Sequence, residues 1–150
     1  MAWVTATYLN SAIGASQVSS LGLTSGSDRL TQFELEARAT VQSVLQYAGY
    51  NDFTETLTET TETQKVTAAF LKGLCAALMI QTAMELIPGI ELGSGVEAFV
   101  SRNLSKLDAV YSKKLPVPGA QPSSPEVAYG GVKFNTSDTP RRFNLRGTSF

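Results

Sequence analysis

The chain has no histidine, a single cysteine and a single tryptophan, and its 17% of charged residues beside 43% hydrophobic ones is the composition of a soluble globular protein. Without histidine there is no ordinary general base near neutral pH, and no Ser-His-Asp or Cys-His arrangement is possible. Most transition-metal sites go with it. Cys75 has no partner for an internal disulfide and stands in an apolar run, where a thiol behaves as a small inert hydrophobe. No basic, apolar, small-residue leader opens the sequence, so no secretory signal is expected and synthesis in the cytoplasm is the default. No catalytic residue, metal site or cofactor is expected. The enzymatic design that survives these absences is a pair of carboxylates of the glycosidase kind. Here the acids fall on helix caps and predicted surfaces.

What is present is a core. At 150 residues and 43% hydrophobic content the chain is one domain's worth. Its centre is a predicted helix from about Thr63 to Ile87, in which Lys65 and Lys72 share one side while Gln81 and Glu85 point the opposite way. No single polar face remains, so this helix is expected to be wrapped by the others. The uncharged run between Lys72 and Glu85 is shorter than the roughly 20 residues a bilayer span needs, and no membrane is expected as a partner.

Around that centre the pattern is mainly α, a small helical bundle over residues 1–115. Two short helices come first, with Thr7 and Ser16 as caps and Gly14 and Gly22 as stops. A long helix follows with Thr31 and Glu34 as a capping box and Leu30 with Leu35 as a hydrophobic staple. Its apolar stripe is Phe33, Ala37, Val41, Val44, Leu45 and Ala48, and Gly49 ends it. Residues 51–63 read as an acidic Thr/Glu loop without the alternating Asp pattern of a calcium site. After Pro88-Gly89, Ser94 and Glu97 suggest a second capping box and a helix to about Lys114. Asn103 falls in the middle of its apolar stripe, where it needs a hydrogen-bond partner. Arg102, Lys106 and Lys113 line one flank, a candidate DNA-channel or subunit-interface row.

The remainder differs in kind. Residues 116–125 read as a proline-rich linker and residues 126–150 as an extended C-terminal arm. The arm is too short and polar for a second core, yet it carries Val127, Tyr129, Val132, Phe134, Phe143, Leu145 and Phe150. Aromatic groups that the arm cannot bury within itself are expected to be buried on a neighbour, the alternative being a tail folded back over its own bundle. Charge is divided as well: residues 1–63 hold two basic and seven acidic groups, net −5, while residues 64–115 and 116–150 are each net +2. Such polarity suits head-to-tail packing of identical subunits.

The stretches TATYLNSAIGASQVSSLG, DRLTQFELEARATVQSVLQYAGY, VTAAFLKGLCAALMIQTAMEL and PRRFNLRGTSF, in this order, resemble the head-tail adaptor (head completion) proteins of tailed bacteriophages, and specifically those of Mu-like prophages. The resemblance implies a structural protein of the virion neck, assembled in the host cytoplasm. It implies a ring, a dodecamer in that family, that joins the portal protein to a stopper or tail protein while double-stranded DNA passes through. It also makes the arm the gripping element, with Val127, Tyr129, Val132, Phe134, Arg141, Arg142, Phe143, Leu145 and Arg146 as contact residues for the portal or a neighbouring copy. The acidic loop 51–63 departs from the short, proline-containing loop common in the family, and no contact is carried over to it. The competing expectation is a small helical nucleic-acid-binding protein, such as a DNA-packaging recognition subunit, using the same cations. A pI near 5.4 opposes it, because such domains are usually basic.

Overall fold

The computed structural model describes residues 2–51, 53 and 57–122. Five helices follow in order: α1 (Ala6–Ile13), α2 (Ala15–Leu21), α3 (Asp28–Tyr47), α4 (Glu62–Leu86) and α5 (Ser94–Tyr111), with no strand among the described residues. The mainly α bundle around a long central helix is thus observed. The arm residues Val127, Tyr129, Val132, Phe134, Arg141, Arg142, Phe143, Leu145 and Arg146 lie outside the described residues.

Both long-range packing and burial centre on α4, which contacts α3, α5 and α2, while α3 and α5 also meet each other. Leu71, Leu74, Cys75, Ala76, Met79, Ile80 and Ala83 are sealed from solvent. Large side chains of this kind contribute about 1.5–3 kcal/mol each when fully buried. By length and composition all 25 residues of α4 would suffice to cross a membrane, although 61% of its most apolar window is buried inside the bundle. Burial within the chain already accounts for its hydropathy. The enclosure ends near the C-terminus, where Leu86 is exposed.

The helix starts are where local pattern and structure part. The cap of α1 is Thr5 rather than Thr7, its Oγ1 accepting from the Tyr8 N–H at 3.2 Å. Starting earlier brings Ala6 into the core. Gly14, not Ser16, precedes α2, and its φ of +95° makes the corner between the two helices. In α3 the cap is Ser27, whose Oγ accepts from Leu30 N–H at 3.1 Å, one turn ahead of the expected Thr31. Thr31 lies inside the helix and Leu35 is exposed, so neither the box nor the staple forms. Glu34 has a stronger partner inside the bundle, described below. At α5 the cap is Gly93 without a side-chain bond, so Ser94 and Glu97 form no box, and the helix ends at Tyr111. A true capping box occurs at α4, where Thr61 Oγ1 accepts from Gln64 N–H at 3.2 Å and Gln64 Oε1 accepts from Thr61 N–H at 3.0 Å.

Two close approaches fix the packing of α4. A Cβ on Gly73 would stand 2.8 Å from Asn103 Oδ1, so this glycine of α4 makes room for a polar side chain of α5. Asn103 in turn donates from Nδ2 to the Phe99 carbonyl at 2.9 Å. At the other end of α4, Thr67 Oγ1 donates to the Pro118 carbonyl at 2.7 Å, and the buried Val117 N–H donates to Tyr50 Oη at 3.1 Å. The first part of the expected linker is therefore part of the bundle. Gly119, at φ +75°, fits because a Cβ there would meet Thr67 Oγ1 at 2.6 Å and the Thr63 carbonyl at 2.8 Å.

Candidate functional site

Among the described residues, ionisable groups meet inside the bundle around Glu34. Its carboxylate is 3% exposed, accepts from the Trp3 backbone N–H at 2.7 Å and lies 3.3 Å from Arg38 Nε, one helical turn on. The arrangement joins the N-terminal strand of chain to α3, and both ions are neutralised where water is excluded. Cys75 approaches the Glu34 carbonyl with its Sγ at 4.0 Å. Burial first, and then the Glu34 charge, push the Cys75 thiol well above its ordinary range, with Arg38 opposing. A thiol held protonated and buried is no nucleophile. Burial also raises the neighbouring Tyr8 phenol, with Cys75 as the second cause. This cluster is largely buried and ties the residues before α1 to α3. No group of three or more acidic, Cys or His side chains among the described residues is arranged to hold a metal ion.

The expected cation row is dispersed over three aromatic rings. The Arg102 guanidinium lies 5.9 Å from the Phe99 ring centre, Lys106 Nζ lies 5.7 Å from Phe70, and Lys113 Nζ lies 4.5 Å from Tyr47. Lys113 falls beyond the end of α5 with φ at +62°, which costs a non-glycine residue about 1–2 kcal/mol. Its ammonium is turned onto a ring of α3. Each such contact contributes roughly 0.5–1 kcal/mol at an exposed site. The three heads thus rest on three separate rings.

Comparison of the chain with protein-family models, with curated proteins and with solved structures finds no match.

Two surface features were not anticipated from the sequence. At the ends of α3 and α5, Tyr47 (55% exposed) and Tyr111 (51% exposed) stack with ring centres 4.8 Å apart, with Lys113 over the former. The pair is amphipathic and rigid, as interface anchors tend to be. Between α4 and α5 opens a groove of about 740 Å³ in which half-buried Met84, Leu104 and Leu107 meet exposed Glu85, Glu97 and Asp108. No described cation pairs with those three acids. The signal was available in part: at about 100° per residue, Glu97, Leu104, Asp108 and Tyr111 fall within one narrow sector of α5, while Arg102 and Lys106 fall roughly opposite. Sequence reasoning followed the cations and passed over the acidic side.

Proposed function

We propose that the chain is a structural head-tail adaptor of a tailed phage, forming a ring in the virion neck that joins the portal to a stopper or tail protein and lets double-stranded DNA pass. What supports this reading is a buried core supplied by the described residues, together with the composition of the sequence that follows them. Trp3 through Val117 supply a continuous buried core. The last 28 residues, 123–150, still hold Tyr129, Phe134, Phe143 and Phe150 together with Lys133, Arg141, Arg142 and Arg146. An aromatic, basic sequence after such a core suits a part that attaches to something else. The exposed Tyr47–Tyr111 pair supplies a second attachment point on the body. DNA that slides through a channel is served by a lining without a dense basic wall, since each neutralised phosphate strengthens binding. A net charge of −1 is consistent with that.

The test is removal of residues 126–150. The shortened chain keeps its far-ultraviolet circular dichroism and cooperative melting but no longer co-sediments with portal rings, which the full chain does. Unfolding of the shortened chain, or portal attachment without the arm, refutes the reading. Tight, salt-dependent binding of the full chain to duplex DNA transfers the assignment to a nucleic-acid-binding protein.

A further inference from the structure

The groove between α4 and α5 has a mixed lining: Met84, Val100, Leu104 and Leu107 give it an apolar floor, Gln81, Ser101 and Ser105 add neutral polar groups, and three acids without a cation among the described residues border it. Glu97 and Asp108 lie on the groove side of α5, and Glu85 faces them from the last turn of α4. An occupant that matches must bring cations flanking apolar groups. Residues 140–150 of this chain, PRRFNLRGTSF, bring Arg141, Arg142 and Arg146 around Phe143 and Leu145, with no acidic side chain. Arginine is suited to the role, because its planar fork satisfies a carboxylate in bidentate fashion and tolerates partial desolvation.

We propose that this groove is the docking site for residues 140–150 of the same chain. Reach supports it. The described chain is tied to the bundle by the Pro118 carbonyl at Thr67, and Gly119 sits against Thr63 and Thr67. From Thr67 to Glu85 along α4 is about 27 Å at ~1.5 Å per residue. The intervening residues 123–139 extend to at most roughly 56 Å, and a flexible spacer of that length spans about 23 Å on average. A tether matched to its span gives an effective concentration on the order of millimolar, so the chain's own segment outcompetes that of a second copy at micromolar protein. The segment is thereby stored on its own body before it meets any partner. The inference does not depend on the connector reading, since portal attachment is measured separately.

The experiment is hydrogen exchange of the full chain, read by mass spectrometry over residues 140–150. In the native chain these amides exchange at least about tenfold slower than in the free peptide, equally at 20 µM and at about 1 µM. Protection is lost in Glu85→Gln/Glu97→Gln/Asp108→Asn, and equally in Arg141→Gln/Arg142→Gln/Arg146→Gln, which leaves the bundle untouched. Exchange over α1–α4 stays as in the native chain in both. Native exchange at the free-peptide rate, or protection that survives both sets of substitutions, overturns the proposal. Protection that disappears on dilution also overturns it, by assigning the groove to the segment of a second copy.

Discussion

Replacing Glu34 with alanine is expected to destabilise the bundle by about 3–5 kcal/mol, the usual cost of removing one partner from a buried ion pair. Two contacts disappear together: the 2.7 Å bond from Trp3 N–H and the 3.3 Å approach of Arg38 Nε. Arg38, at 9% exposure, is left as a charge that must stay desolvated or force its way to solvent. With total stability of about 5–15 kcal/mol for a domain of this size, such a loss removes a large share of it. Replacing both ions together, Glu34→Leu with Arg38→Met, is expected to recover most of the loss, because the double change removes the desolvation cost along with the attraction. Urea unfolding followed by Trp3 fluorescence measures this directly, since Trp3 is the sole tryptophan and 3% exposed. If Glu34→Ala costs less than about 1 kcal/mol, or if the double replacement is as destabilising as the single one, the pair is not the internal clamp described here.

Further consequences follow from the other close contacts. Gly73→Ala is expected to lose about 1–3 kcal/mol by overpacking against Asn103, and combining it with Asn103→Ala should return part of that loss in a double-mutant cycle read by thermal unfolding. Tyr50→Phe leaves the buried Val117 N–H without its 3.1 Å acceptor and is expected to cost about 1–3 kcal/mol, with faster exchange localised to residues 116–120. The raised Cys75 thiol keeps its proton in the folded state while an unfolded thiol loses it near pH 8.5, so this group favours folding below that pH and its contribution falls as pH rises further. Stability measured from pH 7 to pH 10.5 should therefore decline more steeply in the native protein than in Cys75→Ala, and parallel profiles would exclude the effect.

Periodicity made the helices legible. The stripe Phe33, Ala37, Val41, Leu45 and Ala48 is buried, and the centre of α4 is enclosed as its lack of a polar face requires. Cap motifs misled where a longer-range partner competed for the same side chain. Thr31 and Glu34 have capping-box spacing, yet Glu34 is drawn inward by the Trp3 N–H from 31 residues away, a contact that no local pattern contains. Glu97 also has capping-box spacing, but α5 begins one residue earlier than that spacing implies, with Gly93 as its cap, and Glu97 borders the groove. The Tyr47–Tyr111 stack was equally hidden, because it joins the ends of α3 and α5. Spacing within one helix reports which residues share a face, but not what a second helix places opposite.

The docking of Val117 and Pro118 onto Tyr50 and Thr67 gives the last part of the chain a fixed origin. Residues beyond it are counted from a point on the body rather than from a floating joint. Under the proposed docking, each residue inserted or removed between 123 and 139 changes the maximum reach of residues 140–150 by up to about 3.3 Å. Spacer length becomes a ruler, and the distance to whatever the final segment meets can be measured by the deletion at which contact is lost.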